Sequence, residues 1–140
     1  MLSLKMKHLI TIFLIFFLTN SCAKNEFGVK NNVPEKKVFN MELKTELNRQ
    51  YSIQNGKTLK LNWKLLTDKP IEKQSSYPEY FVWIEMSQNN KVVNQGLVKL
   101  IIKDKKFHPI AFMNDERIRT APNDASREFP LEILEKIKNK

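Results

Sequence analysis

The segment Tyr80–Met86, YFVWIEM, carries large apolar side chains on both alternate sets of positions until Glu85. Successive side chains of a strand point to opposite faces, so a strand of this composition needs cover on both. It reads as the central strand of a sheet, and the neighbouring segments have to supply what surrounds it.

Asn89-Asn90 suits a two-residue turn into a second strand over Val92–Lys103. In that register Val82 meets Leu97, Met86 meets Val93, and Trp83 lies across from Gly96, where a missing side chain faces a large indole. Asp104-Lys105-Lys106 makes another turn. Phe107–Met113 follows, with Pro109 marking an edge or an interruption. Before the central strand, Leu59, Leu61, Trp63 and Leu65 alternate with Lys60, Asn62 and Lys64, the pattern of a half-buried strand. Thr67–Pro78 reads as a loop.

Further upstream, Met41, Leu43, Leu47, Tyr51 and Ile53 all fall on odd positions. Leu43, Leu47 and Tyr51 would also suit a helix, but Met41 and Ile53 would then leave the stripe, so the spacing predicts a strand. Register argues against a two-residue hairpin at Asn55-Gly56, because it would set every odd apolar residue opposite an even polar one. Either the loop holds an odd number of residues, or the two strands belong to different sheets. At the C-terminus, Pro130, Ile133, Leu134 and Ile137 have helical spacing, with Glu132 in the first turn and Lys136, Lys138 and Lys140 after it. The fold class expected is mainly β: a small antiparallel β-sandwich with an immunoglobulin-like look and a C-terminal helix. A partly closed β-barrel and an α+β arrangement are the alternatives.

The N-terminus follows other rules. Leu9–Leu18, LITIFLIFFL, is broken only by Thr11 and preceded by Lys5, Lys7 and His8. A basic stretch, a short apolar run and then small or polar residues have the layout of a secretory signal peptide. Ten residues are too few for a spanning helix, which takes about 20. The single cysteine of the chain, Cys22, comes just after this run, behind Ser21.

This segment resembles the lipobox of bacterial lipoproteins. The resemblance implies cleavage after Ser21, diacylglycerol on the Cys22 thiol and acylation of the new amino group. It also implies an outer-membrane destination in a diderm cell, since Ala23 rather than Asp follows the cysteine. The expected organisation is a signal peptide over 1–21, a lipidated Cys22 with a flexible tether over 22–39, and a β-rich globular domain over 40–140. Extended, the tether reaches at most roughly 55–60 Å.

A lone cysteine excludes a disulfide framework and a Cys-rich zinc site. The formal net charge is +9, and 20 of the 24 basic residues are Lys, the strongly hydrated cation of solvated faces. Aromatics do not interleave with the lysines in a stacking pattern, so no nucleic-acid partner is expected. Past residue 21 the sole histidine is His108, and the chain has no G-x-S-x-G elbow, Walker loop or H-E-x-x-H helix. Ser75, Ser76 and Ser126 have no companion motif, and Asp104, Asp115, Glu116 and Asp124 lack EF-hand spacing. No cofactor, metal or catalytic residue is assigned.

The expectation is therefore a lipid-anchored envelope protein acting as a non-catalytic interaction module: a machine subunit or pilot, or an inhibitor or immunity protein. A carrier or sensor of an apolar ligand is the alternative, and an envelope hydrolase the third reading. Candidate partner contacts are Tyr77 and Tyr80, at the start of the central strand. Arg117, Arg119 and Arg127 join them from Asn114–Arg127, which reads as a polar, turn-rich loop. A free sheet edge is a further docking place.

Overall fold

The computed structural model describes residues 33–71 and 77–138. Leu9–Leu18, Ser21, Cys22, Ser75, Ser76 and residues 23–32 of the expected tether lie outside them. The chain runs through α1 (Lys36–Tyr51), β1 (Ile53–Gln54), β2 (Lys57–Thr58), β3 (Lys60–Leu65), β4 (Glu79–Gln88), β5 (Lys91–Lys103) and β6 (Lys106–Asn114). Then come α2 (Asp115–Thr120), α3 (Pro122–Glu128) and α4 (Leu131–Lys138). The fold is mainly β, with two antiparallel sheets and a C-terminal helix, as expected from the sequence. The larger sheet has the order β3-β4-β5-β6, and β1-β2 is a separate hairpin. Helices form the layers on both faces of the larger sheet, which is the α+β form of the expected architecture.

β4 is the strand that both faces share. Tyr80, Val82, Ile84 and Met86 join Val98, Leu100, Ile102 and Phe107 in a core closed by Leu43 and Leu47 of α1. Phe81 and Trp83 join Leu97 and Met113 in a second core closed by Ala125, Phe129, Ile133, Leu134 and Ile137.

Three turns shape the strands. Asn55-Gly56, Asn89-Asn90 and Asp104-Lys105 each have positive φ at both residues, between 51° and 73°, as a type I′ hairpin turn requires. Such a turn joining Gln88 to Lys91 pairs even-numbered residues with odd ones. Two buried faces cannot tolerate that, and an irregularity at Val93 repairs it: beyond it Val82 pairs with Val98, Ile84 with Gly96 and Trp83 with Leu97. The turn is thus where the sequence puts it, but the expected pairings of Val82, Met86 and Trp83 are each displaced by one residue. A second bulge at Ile110, next to Pro109, lets Phe107 and Met113 face opposite cores although both are odd. Pro109 marks an edge strand and an interruption at once. Val93 and Ile110 are each 51% exposed.

Gly96 takes its meaning from β6 rather than from Trp83. A Cβ there would lie 2.3 Å from the Met113 carbonyl oxygen and 2.8 Å from a Phe112 ring carbon.

The strand expected over Met41–Ile53 is instead helical. Phe39, Leu43, Leu47 and Tyr51 recur every fourth residue, and Leu43 and Leu47 are fully buried. Met41 and Ile53, which favoured the strand reading, are 58% and 68% exposed. The helix also takes residues 36–39 from the expected tether: the Phe39 ring sits edge-on to Tyr80 and Phe107, at 5.2 and 5.0 Å. The two-residue hairpin at Asn55-Gly56 exists after all. β1 and β2 are two residues each and exposed throughout, so parity imposes nothing on them.

Two substitutions test these constraints by chemical unfolding. Gly96→Ala is expected to cost about 1–3 kcal/mol, because backbone of β6 blocks the methyl group. Lys105→Gly, at φ +60°, is expected to stabilise by up to about 1 kcal/mol by removing a left-handed side-chain clash.

Candidate functional site

The stretch Asn114–Arg127 is not a loop, and its helices help to build an apolar cleft on the surface. Asn114 caps α2: its side-chain oxygen accepts from the Arg117 backbone N–H at 2.9 Å, and Asp115 and Glu116 occupy the first turn. Pro122 then opens α3. Both signals stand in the sequence, but helices this short lack the apolar period by which a helix is usually read.

α4 is held against the sheet by its own stripe. Ile133, Leu134 and Ile137 are buried, the Phe129 ring before the helix meets Phe81 at 6.3 Å, and Lys136 Nζ donates to the Leu66 carbonyl at 2.7 Å. α2 and α3 bury less, only Ala125 completely. Between the three helices lies a cleft of about 300 Å³. Its walls are Ile118, Pro122, Ala125, Leu131, Leu134 and Ile137, and Asp115, Arg119, Ser126 and Lys138 supply its polar atoms. Leu131 is 67% exposed.

The polar rim is fixed by pairs. Arg119 Nε donates to Asp115 Oδ1 at 3.0 Å, and Gln95 Nε2 of β5 donates to the other carboxylate oxygen at 3.2 Å. Arg117 pairs with Asp124 of α3 at 3.4 Å, an exposed contact worth at most about 1 kcal/mol. Arg127 is exposed at the far end of α3, beside a broader polar depression that also touches the Glu79–Lys99 ion pair.

The five candidate contact residues therefore separate. The three arginines share the helical layer, with Arg119 lining the cleft itself. Tyr80 is 3% exposed and belongs to the core under α1, so it presents no docking surface. Tyr77 lies beyond the start of β4, with Lys103 Nζ 5.9 Å from its ring centre. The apolar lining of the cleft was missed in the sequence, although Ile133, Leu134 and Ile137 had marked α4 as amphipathic.

Chemistry-bearing groups do not converge here. The Ser126 hydroxyl donates to the Asn123 carbonyl at 3.0 Å. His108 lines a different depression, with Glu42, Glu46 and Arg49 between α1 and β6. Among the described residues no group of three or more His, Cys, Asp or Glu is placed to hold a metal ion. Burial, aided by the charge of Glu46, pushes the Tyr51 hydroxyl up to about 12, but this group closes α1 against Phe112 of β6 and is no part of the cleft. Comparison with protein-family models, with curated proteins and with solved structures finds no match to this chain.

Rim and floor of the cleft should separate in unfolding experiments. Leu134→Ala is expected to cost about 2–4 kcal/mol, whereas Leu131→Ser should change stability by no more than about 0.5 kcal/mol.

Proposed function

We propose that this chain is a lipid-anchored cell-envelope protein, held through Cys22, that works as a non-catalytic interaction module. In a diderm cell it would stand on the outer membrane facing the periplasm. Its partner is an envelope protein, and its role that of a machine subunit or pilot, or of an inhibitor or immunity protein. The observation that carries the reading is the cleft between α2, α3 and α4. Its walls are apolar, Leu131 among them is exposed, and the Asp115–Arg119 pair fixes its charged rim. Exposed apolar surface rimmed by polar groups is what a protein partner covers.

Support for the anchor comes from the position of the one cysteine directly after Leu9–Leu18. No helix among the described residues is long and apolar enough to cross a membrane. A triacylated cysteine would hold the protein on a bilayer where one acyl chain alone binds only reversibly.

The same cleft gives the second reading its footing. About 300 Å³ lies at the lower limit of small-ligand pockets, enough for a compact apolar molecule.

One experiment addresses both parts. Cells grown with a palmitate analogue should label the wild-type protein and place it in membranes, while Cys22→Ser is neither labelled nor anchored. Equal labelling of the two would end the lipobox reading. A photo-crosslinking residue at position 131 should give a stoichiometric protein adduct in intact envelopes, and one at position 57 should not. A small apolar adduct at 131 with no protein would transfer the conclusion to the carrier.

A further inference from the structure

α1 and β6 run side by side in the same direction. Phe39 meets Phe107 near their beginnings and Tyr51 meets Phe112 near their ends, with ring centres 5.0 and 5.6 Å apart. The spans agree: twelve residues of helix advance about 18 Å and five of strand about 17 Å. The N-terminus of α1 is therefore fixed at the end of the sheet that carries the β5–β6 turn, where Lys103 pairs with Lys106. Lys36 and Lys37 on the helix and Lys103, Lys105 and Lys106 around the turn all meet there, and all five are exposed.

Glu35 and Asp104 are exposed at the same end, and the Asp68-Lys69 step after β3 is neutral as a pair. Glu79 is engaged by Lys99 at 3.4 Å, and Glu42 lies about a turn further along α1, in the depression it shares with Lys106. Exposed Glu128 and Glu132 line the depression that holds Glu79 and Lys99 on the other face of the sheet, beside Arg127. Among the described residues the five lysines still outnumber the exposed carboxylates of this end that no lysine neutralises. Half-buried Tyr77 stands among them, under Lys103; tyrosine is a side chain that settles at headgroup depth.

The chain enters the domain at this same end. Val33 packs against the core under α1, and Cys22 lies eleven residues before it, at most about 40 Å even when extended. We infer that this lysine end is a docking surface for an anionic phospholipid bilayer, and that it turns the domain so that α1's N-terminus and the β5–β6 turn rest on the headgroups. The surface stands on charge and geometry alone and does not require Cys22 to be lipidated.

The full chain carrying Cys22→Ser tests it without an anchor. Partitioning is measured into vesicles of phosphatidylcholine alone and of phosphatidylcholine with phosphatidylglycerol. The ratio of the two cancels any binding by Leu9–Leu18. A juxtamembrane lysine is worth about 1 kcal/mol, so replacing Lys36, Lys37, Lys103, Lys105 and Lys106 by Gln should lower the phosphatidylglycerol preference by roughly 100-fold or more. Replacing the exposed Lys44, Lys57, Lys60, Lys64 and Lys91 by Gln removes the same charge and should lower it less than about fivefold. Inorganic phosphate at matched ionic strength should not displace the protein. Equal losses in the two variants would reduce the effect to net charge, and equal binding to both vesicles would overturn the proposal. Lipid photolabelling should follow a probe at position 105 and not one at position 57; the reverse pattern would also overturn it. Loss of palmitate labelling at Cys22 would leave this result intact, so the anchor and the surface fail separately.

Discussion

Burial of β4 on both faces is the constraint from which the rest of this architecture follows. Tyr80, Val82, Ile84 and Met86 need one apolar layer, and Phe81 and Trp83 need another. At roughly 1.5–3 kcal/mol for each large side chain, leaving one face open would forfeit much of a domain's net stability. The chain answers with a helix before the sheet and three after it. The two bulges follow from the same demand. The β4–β5 turn joins its strands in a parity that mixes the faces, and one extra residue in β5 restores it, while the extra residue in β6 lets Phe107 and Met113 serve opposite cores. The cost falls on Val93 and Ile110, which are left half exposed.

The strands were legible because their information is local. YFVWIEM, the alternation around Trp63 and the asparagine pair at 89–90 each carry period or turn chemistry within a few residues. α1 misled because two periods fit the same letters. Leu43, Leu47 and Tyr51 satisfy steps of two and of four, and the decision rested on Met41 and Ile53. Those two are solvent-exposed, so they took part in no buried pattern. With Phe39 included, four residues stand at helical spacing. The short helices α2 and α3 lacked any period, and only the Asn114 cap and Pro122 announced them. Parity forbids a two-residue turn only between buried strands, and β1 and β2 are exposed throughout. For the candidate site, Arg119 could be named from the sequence. Its partner Asp115 is also held by Gln95, which lies 20 residues before that aspartate on β5, and no local pattern joins the two.

The helical layer combines firmness and looseness in a way that suits contact with another molecule. α4 is fixed by three buried side chains and by Lys136 on the Leu66 carbonyl. α2 buries no residue completely: Ile118 packs partly against the second core, and Asp115 and Arg117 hold polar contacts to Gln95 and Asp124. A cleft between one rigid wall and one lightly held wall can adapt to an apolar side chain without disturbing the sheet. Elements with few buried contacts are also those that open locally at least cost.

The sheet separates the two features. The lysine end lies at the termini of the strands, while the cleft lies on a face. A domain resting on a bilayer by that end would hold its strands away from the surface and the helical layer beside them. A partner anchored in or lying along the same membrane would then meet Leu131 and Arg119 without either protein leaving the surface. Confinement of both to one plane raises their effective concentration with no new contact, so a modest apolar cleft could sustain an association that it would not hold in free solution.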